Sequence, residues 1–190
     1  VGARAISDPI NSHNLSCSND LNVYRVRVGY TFLMAKVADD VKAGANPWSG
    51  RRVVLAGGSG FLGAALARFF SSAGAHVSVL TRQPRNRMPS VREVAWDGRT
   101  VGPWSAELEG SALLVNLAGF SVNCRHTPEH RRLIVDSRVQ SVEALGSALA
   151  WVSAPPPVWI QSSSLAIYGN TGDVPCDEEA PHGNDFSTDV

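Results

Sequence analysis

Three glycines spaced three apart, Gly57, Gly60 and Gly63, lie in the run Gly57-Gly58-Ser59-Gly60-Phe61-Leu62-Gly63. The chemistry open to such a run is the binding of a pyrophosphate. Gly57 allows a sharp turn, Gly60 lets the backbone approach a phosphate with no Cβ in the way, and Gly63 lets a following helix pack tightly on a sheet. Backbone N–H groups and the positive end of a helix dipole hold the anion, so no lysine is required. No Gly-Lys-Ser or Gly-Lys-Thr follows, which argues against a nucleoside-triphosphate loop. Farther along, Leu80-Thr81-Arg82-Gln83-Pro84-Arg85 carries no acid to hold a ribose 2′-hydroxyl. Arg82, with Arg85 or Arg87 nearby, instead offers a planar fork of donors to a 2′-phosphate, which selects NADP over NAD. The competing readings are a flexible turn for the glycines and a solvated basic loop for the arginines.

The surrounding pattern decides in favour of a dinucleotide site. Val53-Val54-Leu55-Ala56 is short, branched and uncharged, as a parallel strand buried on both faces must be. Leu62, Leu66 and Phe69-Phe70 recur at helical spacing, Gly74 sits where a C-cap belongs, and Val77 to Leu80 gives a second strand. Val91 to Trp96 reads as a third strand ending in Asp97, whose carboxylate either accepts from the adenine amine or forms a turn before Gly98. Ala112 to Gly119 is the strongest strand and should be the central fourth, with Ala118 and Gly119 letting the cofactor's sugar-phosphate lie close. Pro128 opens a crossover helix in which Leu133, Ile134, Val139, Val142, Leu145 and Leu149 approximate helical spacing, ending before Ala154-Pro155-Pro156-Pro157. Val158 to Gln161 is the fifth strand. Ser162-Ser163-Ser164 and then Tyr168-Gly169 follow at its carboxyl end. These elements predict an α/β fold of the Rossmann type, a doubly wound parallel sheet of about five strands in the order 3-2-1-4-5.

Composition narrows the partners. With 190 residues and 44% hydrophobic content, one sizeable core is expected. Seventeen basic residues balance seventeen acidic ones, so there is no general pull toward nucleic acid or an anionic membrane, and the expected partner is a small molecule. Cys17, Cys124 and Cys176 are widely spaced and odd in number, which suits a reducing cytoplasm better than a disulfide framework. Cys124, His126 and His130 are not expected to hold a metal, because Pro128 lies between the histidines and Arg125, Arg131 and Arg132 crowd them with positive charge. Residues 1–49 read as a partly disordered extension, with a helix over 31–43 and a linker from Gly44 to Gly50. Their apolar run, Val28 to Val37, is far shorter than the roughly 20 residues that span a bilayer, and no signal-cleavage pattern follows it. The nucleotide-binding domain is assigned to residues 50–190.

With these residues in view, the chain from about Arg51 onward resembles the extended short-chain dehydrogenase/reductases, the family of nucleotide-sugar epimerases and dehydratases. Ala56 to Gly63 is similar to that family's Thr-Gly-x-x-Gly-Phe-x-Gly loop, Asn116-Leu117-Ala118-Gly119 to its His-x-Ala-Gly motif, and Ser162 to Gly169 to its Ser-Ser-x-x-x-x-Tyr-Gly segment. Trp96-Asp97, Val122-Asn123-Cys124-Arg125, Asp136-Ser137-Arg138-Val139 and Asp185-Phe186 resemble an atypical branch known only as epimerase family proteins. The resemblance implies cofactor contacts from Gly57, Ser59, Gly60, Phe61, Leu62, Gly63, Thr81, Arg82, Asp97, Leu117, Ala118 and Gly119. It matches Ser164 to the serine that orients the substrate oxygen. The family's Tyr-x-x-x-Lys pair would fall near Phe186 to Val190, where neither residue occurs, and Arg138 stands where typical members carry an asparagine. Tyr168 either supplies the missing phenol or is a packing residue. The expected whole is the NADP-binding domain of an oxidoreductase or isomerase acting on a hydroxyl-bearing metabolite or nucleotide sugar, without its C-terminal substrate domain, which leaves the fifth strand as an exposed edge. The alternatives are an NADP sensor without turnover and an inactive truncated product.

Overall fold

Apolar, branched stretches form the strands where the sequence places them. In the computed structural model, which describes residues 46–86, 88–177, 179–186 and 188, β1 is Arg52–Ala56, β2 His76–Thr81, β3 Val91–Ala95, β4 Leu113–Asn116 and β5 Trp159–Gln161. All neighbours pair in parallel, in the order β3-β2-β1-β4-β5. The expected helix over 31–43 and the apolar run Val28 to Val37 lie outside the described residues. Among the described residues, no helix is long and apolar enough to cross a membrane.

Helices cover both faces of the sheet, as parallel strands require. Val53, Leu55, Val77, Val79, Leu113 and Val115 form one core with Ala67 and Phe70 of helix α1, Phe61–Ser72. Val54, Ala56, Leu80 and Leu114 form the other with Trp96, Trp104, Leu108 and the Ala144, Leu145 and Ala148 side chains of helix α2, Pro128–Leu149. Alternate residues of the same strand thus serve opposite cores.

The helices bury faces other than the bulky periodic ones. Leu62 and Phe69 of α1 are exposed, while Gly63, Ala67 and Phe70 face inward. In α2, Leu133, Val139 and Val142 are exposed, and the contact is made by Ile134, Ser141, Ala144, Leu145 and Ala148. Small side chains let the helix axis come close to the sheet, a preference that hydrophobic spacing does not register. The β3–β4 crossover carries a 3-10 helix, Pro103–Leu108, which inserts Trp104 and Leu108 under the sheet. Helix α1 ends as expected at Gly74, φ +77°, where the Ala75 N–H reaches Phe70 O and the Gly74 N–H reaches Ser71 O.

Asn46 to Gly50, expected as linker, is part of the packed unit. Trp48 meets Phe70 edge-on at 4.9 Å, and Asn46 Nδ2 donates to Ala73 O at 2.7 Å. At the other side of the sheet β5 pairs, among the described residues, with β4 alone, and Ile160 is 48% exposed, as for the edge strand expected from sequence.

Candidate cofactor site

The ends of three strands converge on the glycine run. The Gly57 N–H donates to Leu80 O at 2.9 Å, and the Leu117 N–H donates to Ala56 O at 2.8 Å, so β1, β2 and β4 finish together. Here the strand order reverses, β2 and β3 lying on one side of β1 and β4 on the other, and ligands of open α/β sheets bind in the crevice at such a point. Gly57 has φ +71°, and a Cβ on it would lie 2.7 Å from the Cα and N of Ala118. Only glycine permits both that conformation and that approach. Gly63 is expected to pack on the sheet, but its partner is the loop itself: a Cβ would stand 2.4 Å from the Cα and O of Gly58.

Gly60 differs from both. Its backbone is extended, with φ −81° and ψ −175°, and a Cβ would meet nothing within 4 Å. It caps α1 with no side chain of its own to bond the first-turn amides, and no acid lies in that turn. Helix α2 is finished by its own sequence, with Thr127 Oγ1 accepting the His130 N–H at 3.2 Å, a proline at the start and Glu129 in the first turn. The amides at the start of α1 therefore face the crevice without an N-cap side chain as acceptor. Ser59, Phe61 and Leu62 are all exposed beside them.

At the end of β2, Thr81 is buried and its Oγ1 accepts from the Gln83 N–H at 3.4 Å. Arg82 is exposed, and among the described residues its guanidinium has no hydrogen bond or ion pair. Arg85 Nη2 donates to Gln83 Oε1 at 2.7 Å. Its amide N–H and that of Asn86 both go to the Glu93 carboxylate, the latter at 3.2 Å. Glu93, on β3, thus anchors the basic loop, a role that the sequence does not announce because the acid lies on a different strand. Arg87 is outside the described residues.

Asp97 is a turn former. Its Oδ1 accepts the Arg99 and Thr100 N–H groups, each at 2.9 Å, and Oδ2 accepts the Thr100 hydroxyl at 2.7 Å. The Thr100 hydroxyl is the largest influence holding its carboxyl down to about 2; burial, next in size, opposes it, and the two amides and the Arg99 charge add to the lowering. An adenine contact from Asp97 would have to share these oxygens. The same turn is clamped from below, since Trp96 Nε1 and Trp104 Nε1 both donate to Thr100 O, at 3.2 and 3.0 Å.

At the end of β4, Asn116 is fully buried and fully bonded. Its Nδ2 donates to Ser141 Oγ at 3.0 Å and Gln161 Oε1 at 2.9 Å, and its Oδ1 accepts the Ala118 N–H at 3.0 Å. One side chain therefore ties β4 to α2, to β5 and to its own following loop. Phe120 is held at both ends of its backbone: the N–H donates to Ser137 Oγ at 2.8 Å and the carbonyl accepts from Arg138 Nη1 at 3.2 Å. Arg138 is half-buried, and desolvation lowers its pKa. Ser164 caps the 3-10 turn Leu165–Tyr168, its Oγ accepting the Ala166 N–H at 3.2 Å, and Tyr168 is half-buried within that turn.

Both histidines near Cys124 are engaged by the loop. His126 Nε2 lies 3.1 Å from Val122 O and His130 Nδ1 lies 2.7 Å from Arg125 O. Phe186 packs on His126, with ring centroids 5.5 Å apart, and lies 4.8 Å beneath the Arg131 guanidinium, while His130 meets Phe120 at 5.9 Å. Among the described residues no group of three His, Cys, Asp or Glu side chains gathers as metal ligands would.

The sequence pattern of the NAD-dependent epimerase/dehydratase family matches residues 53–188, from the first residue of the buried β1 core to the segment that packs on α2. The chain belongs to that family. An epimerase family protein of Staphylococcus haemolyticus is 29% identical over 121 residues, 62% of this chain and 39% of that protein. The crystal structure of human epimerase family protein SDR39U1 (isoform 2) with NADPH is 27% identical, with a TM-score of 0.61 over 73% of this chain and 45% of the human one. A nucleoside-diphosphate sugar epimerase from Corynebacterium glutamicum is also 27% identical, with a TM-score of 0.58 over 82% of this chain and 33% of that enzyme. The chain thus spans less than half the length of the epimerase family relatives it matches. Its five parallel strands are the NAD(P)-binding Rossmann fold of the family.

Proposed function

We propose that residues 50–190 form the NADP-binding domain of an epimerase-like oxidoreductase or isomerase acting on a hydroxyl-bearing metabolite or nucleotide sugar. The observation that carries this is the start of α1: uncapped amides beside a glycine whose Cβ position is open, at the switch point of the sheet. A pyrophosphate supplies the acceptors that a glycine cap does not. Arg82 is free to pair with a 2′-phosphate, and the NADPH in the human relative supports the same choice over NAD. The naming of the Corynebacterium relative as a sugar-nucleotide epimerase supports the substrate class.

When bound, the cofactor supplies hydride transfer at its nicotinamide. The chain's own part is to seat and orient. Gly57 and Ala118 shape the crevice, the 61–63 amides hold phosphate, and Leu117 to Gly119 form the wall along the sugar. The Ser164 oxygen accepts from a backbone amide, which leaves its O–H to donate to a substrate oxygen. Free thiols at Cys124 and Cys176 suit a reducing cytoplasm. Calorimetric titration of the chain with NADPH and NADH tests the cofactor, and hydride exchange between labelled NADPH and a panel of ketones or nucleotide sugars tests the reaction. Failure to bind NADPH overturns the proposal. Binding without exchange makes the chain a non-catalytic NADP module.

A further inference from the structure

Gly119 carries a glycine for which its backbone gives no reason. It is absent from the glycines with positive φ, so its conformation is open to any residue. What a side chain would meet is Arg138: a Cβ on Gly119 would lie 3.2 Å from both Cζ and Nη1 of that arginine. Such a contact is tighter than side chains ordinarily adopt, and the arginine cannot swing away freely. Its Nη1 is fixed by Ile134 O at 2.9 Å as well as by Phe120 O at 3.2 Å. Beside it, Ser137 Oγ, itself donating to Ile134 O at 3.1 Å, accepts the Phe120 N–H. Two successive residues of α2 thus grip both polar groups of Phe120, the residue directly after the cofactor-facing loop. No carboxylate among the described residues pairs with this half-buried guanidinium, so its charge is committed to backbone carbonyls.

We propose that Arg138 is a positioning residue for the Leu117 to Gly119 wall of the cofactor crevice, and that Gly119 is glycine to admit its guanidinium. The sequence expectation for Gly119, close approach of the cofactor itself, is a different cause with a different consequence. Insofar as it is read through cofactor affinity, the inference rests on the NADP-binding proposal above. The two are separated by a double-mutant cycle on the full chain, G119A, R138A and the pair, with NADPH affinity measured by calorimetry and amide exchange at Phe120 by NMR.

Alone, G119A displaces the guanidinium and R138A removes it, and each weakens NADPH binding about tenfold and speeds Phe120 exchange. Together they do little more than R138A, because the added methyl no longer meets anything. R138K, which keeps a donor for both carbonyls, retains more affinity and slower exchange than R138M, of similar length. Equal weakening by G119A with and without Arg138 overturns the inference, because the cofactor then excludes the methyl. So does an R138A chain that melts earlier but binds NADPH with parental affinity, since Arg138 would then be structural only. If the parent chain fails to bind NADPH, the functional proposal falls, and the Phe120 exchange rates decide the positioning role by themselves: additive effects of the two substitutions refute it.

Discussion

Gly60 and Gly63 stand three residues apart in one loop, and substituting them separates a ligand's need for glycine from a fold's. At Gly60 the backbone is ordinary extended chain and a Cβ meets nothing within 4 Å. Valine there costs the fold only what a poor N-cap costs, about 1 kcal/mol, or a fall in Tm of about 2–4 °C for a chain of this size. Its side chain would nevertheless occupy the approach to the free amides of α1. Losing two charge-assisted hydrogen bonds to phosphate, at about 1.5–3 kcal/mol each, weakens NADPH binding by at least about 100-fold. Gly63→Ala is the opposite case: its Cβ falls 2.4 Å from the Gly58 backbone, which has no flexible end to yield. It destabilises the whole domain by about 1–3 kcal/mol or more. Calorimetry with NADPH, with thermal melts and circular dichroism on the same samples, reads both effects. A Gly60→Val chain that binds NADPH like the parent would refute the phosphate assignment, and a Gly63→Ala chain with parental Tm would refute the packing.

Arg82→Asp replaces the free guanidinium with an acid suited to a 2′-hydroxyl, and is expected to reverse a preference for NADPH over NADH, with a loss for NADPH of about tenfold or more; a parent chain that binds both equally in calorimetry defeats this assignment. Asn116→Leu removes three hydrogen bonds from a fully buried side chain and leaves the buried Ser141 Oγ without its donor, while Gln161 is exposed and can turn to water, so urea unfolding should show about 1–3 kcal/mol lost; a loss under about 1 kcal/mol would mean that water replaces the asparagine. Asp97 has a folded-state pKa depressed from 3.8 to about 2, so its stabilisation is present above pH 3.8 and is lost as pH falls toward 2. Asp97→Asn should accordingly flatten the decline of stability in that window, and identical urea midpoints against pH for both chains would show that other carboxylates cause it.

What was legible in the sequence is what depends on neighbours along the chain. Val53 to Ala56 and the glycine run are contiguous, and Arg82 follows the second strand of the same strand–helix–strand unit, so strand, turn and charge could be read together. The sheet order followed from the same local units, because parallel strands joined by crossovers leave few topologies. Helix faces were less legible. Leu62, Phe69 and Val139 have helical spacing yet face solvent, while Ala67, Ser141, Ala144 and Ala148 make the contact, since close approach to a sheet selects small side chains. Least legible were interactions between distant residues. Asn116 finds Gln161 across 45 positions and Ser141 across 25, and nothing in a run ending Val115-Asn116 indicates either partner. Glycine shows the limit most clearly. Gly57, Gly60, Gly63 and Gly119 look alike in a motif, but one faces the backbone of the loop after β4, one faces open crevice, one faces its own loop and one faces an arginine. A motif records that a side chain is excluded, and only the fold shows by what.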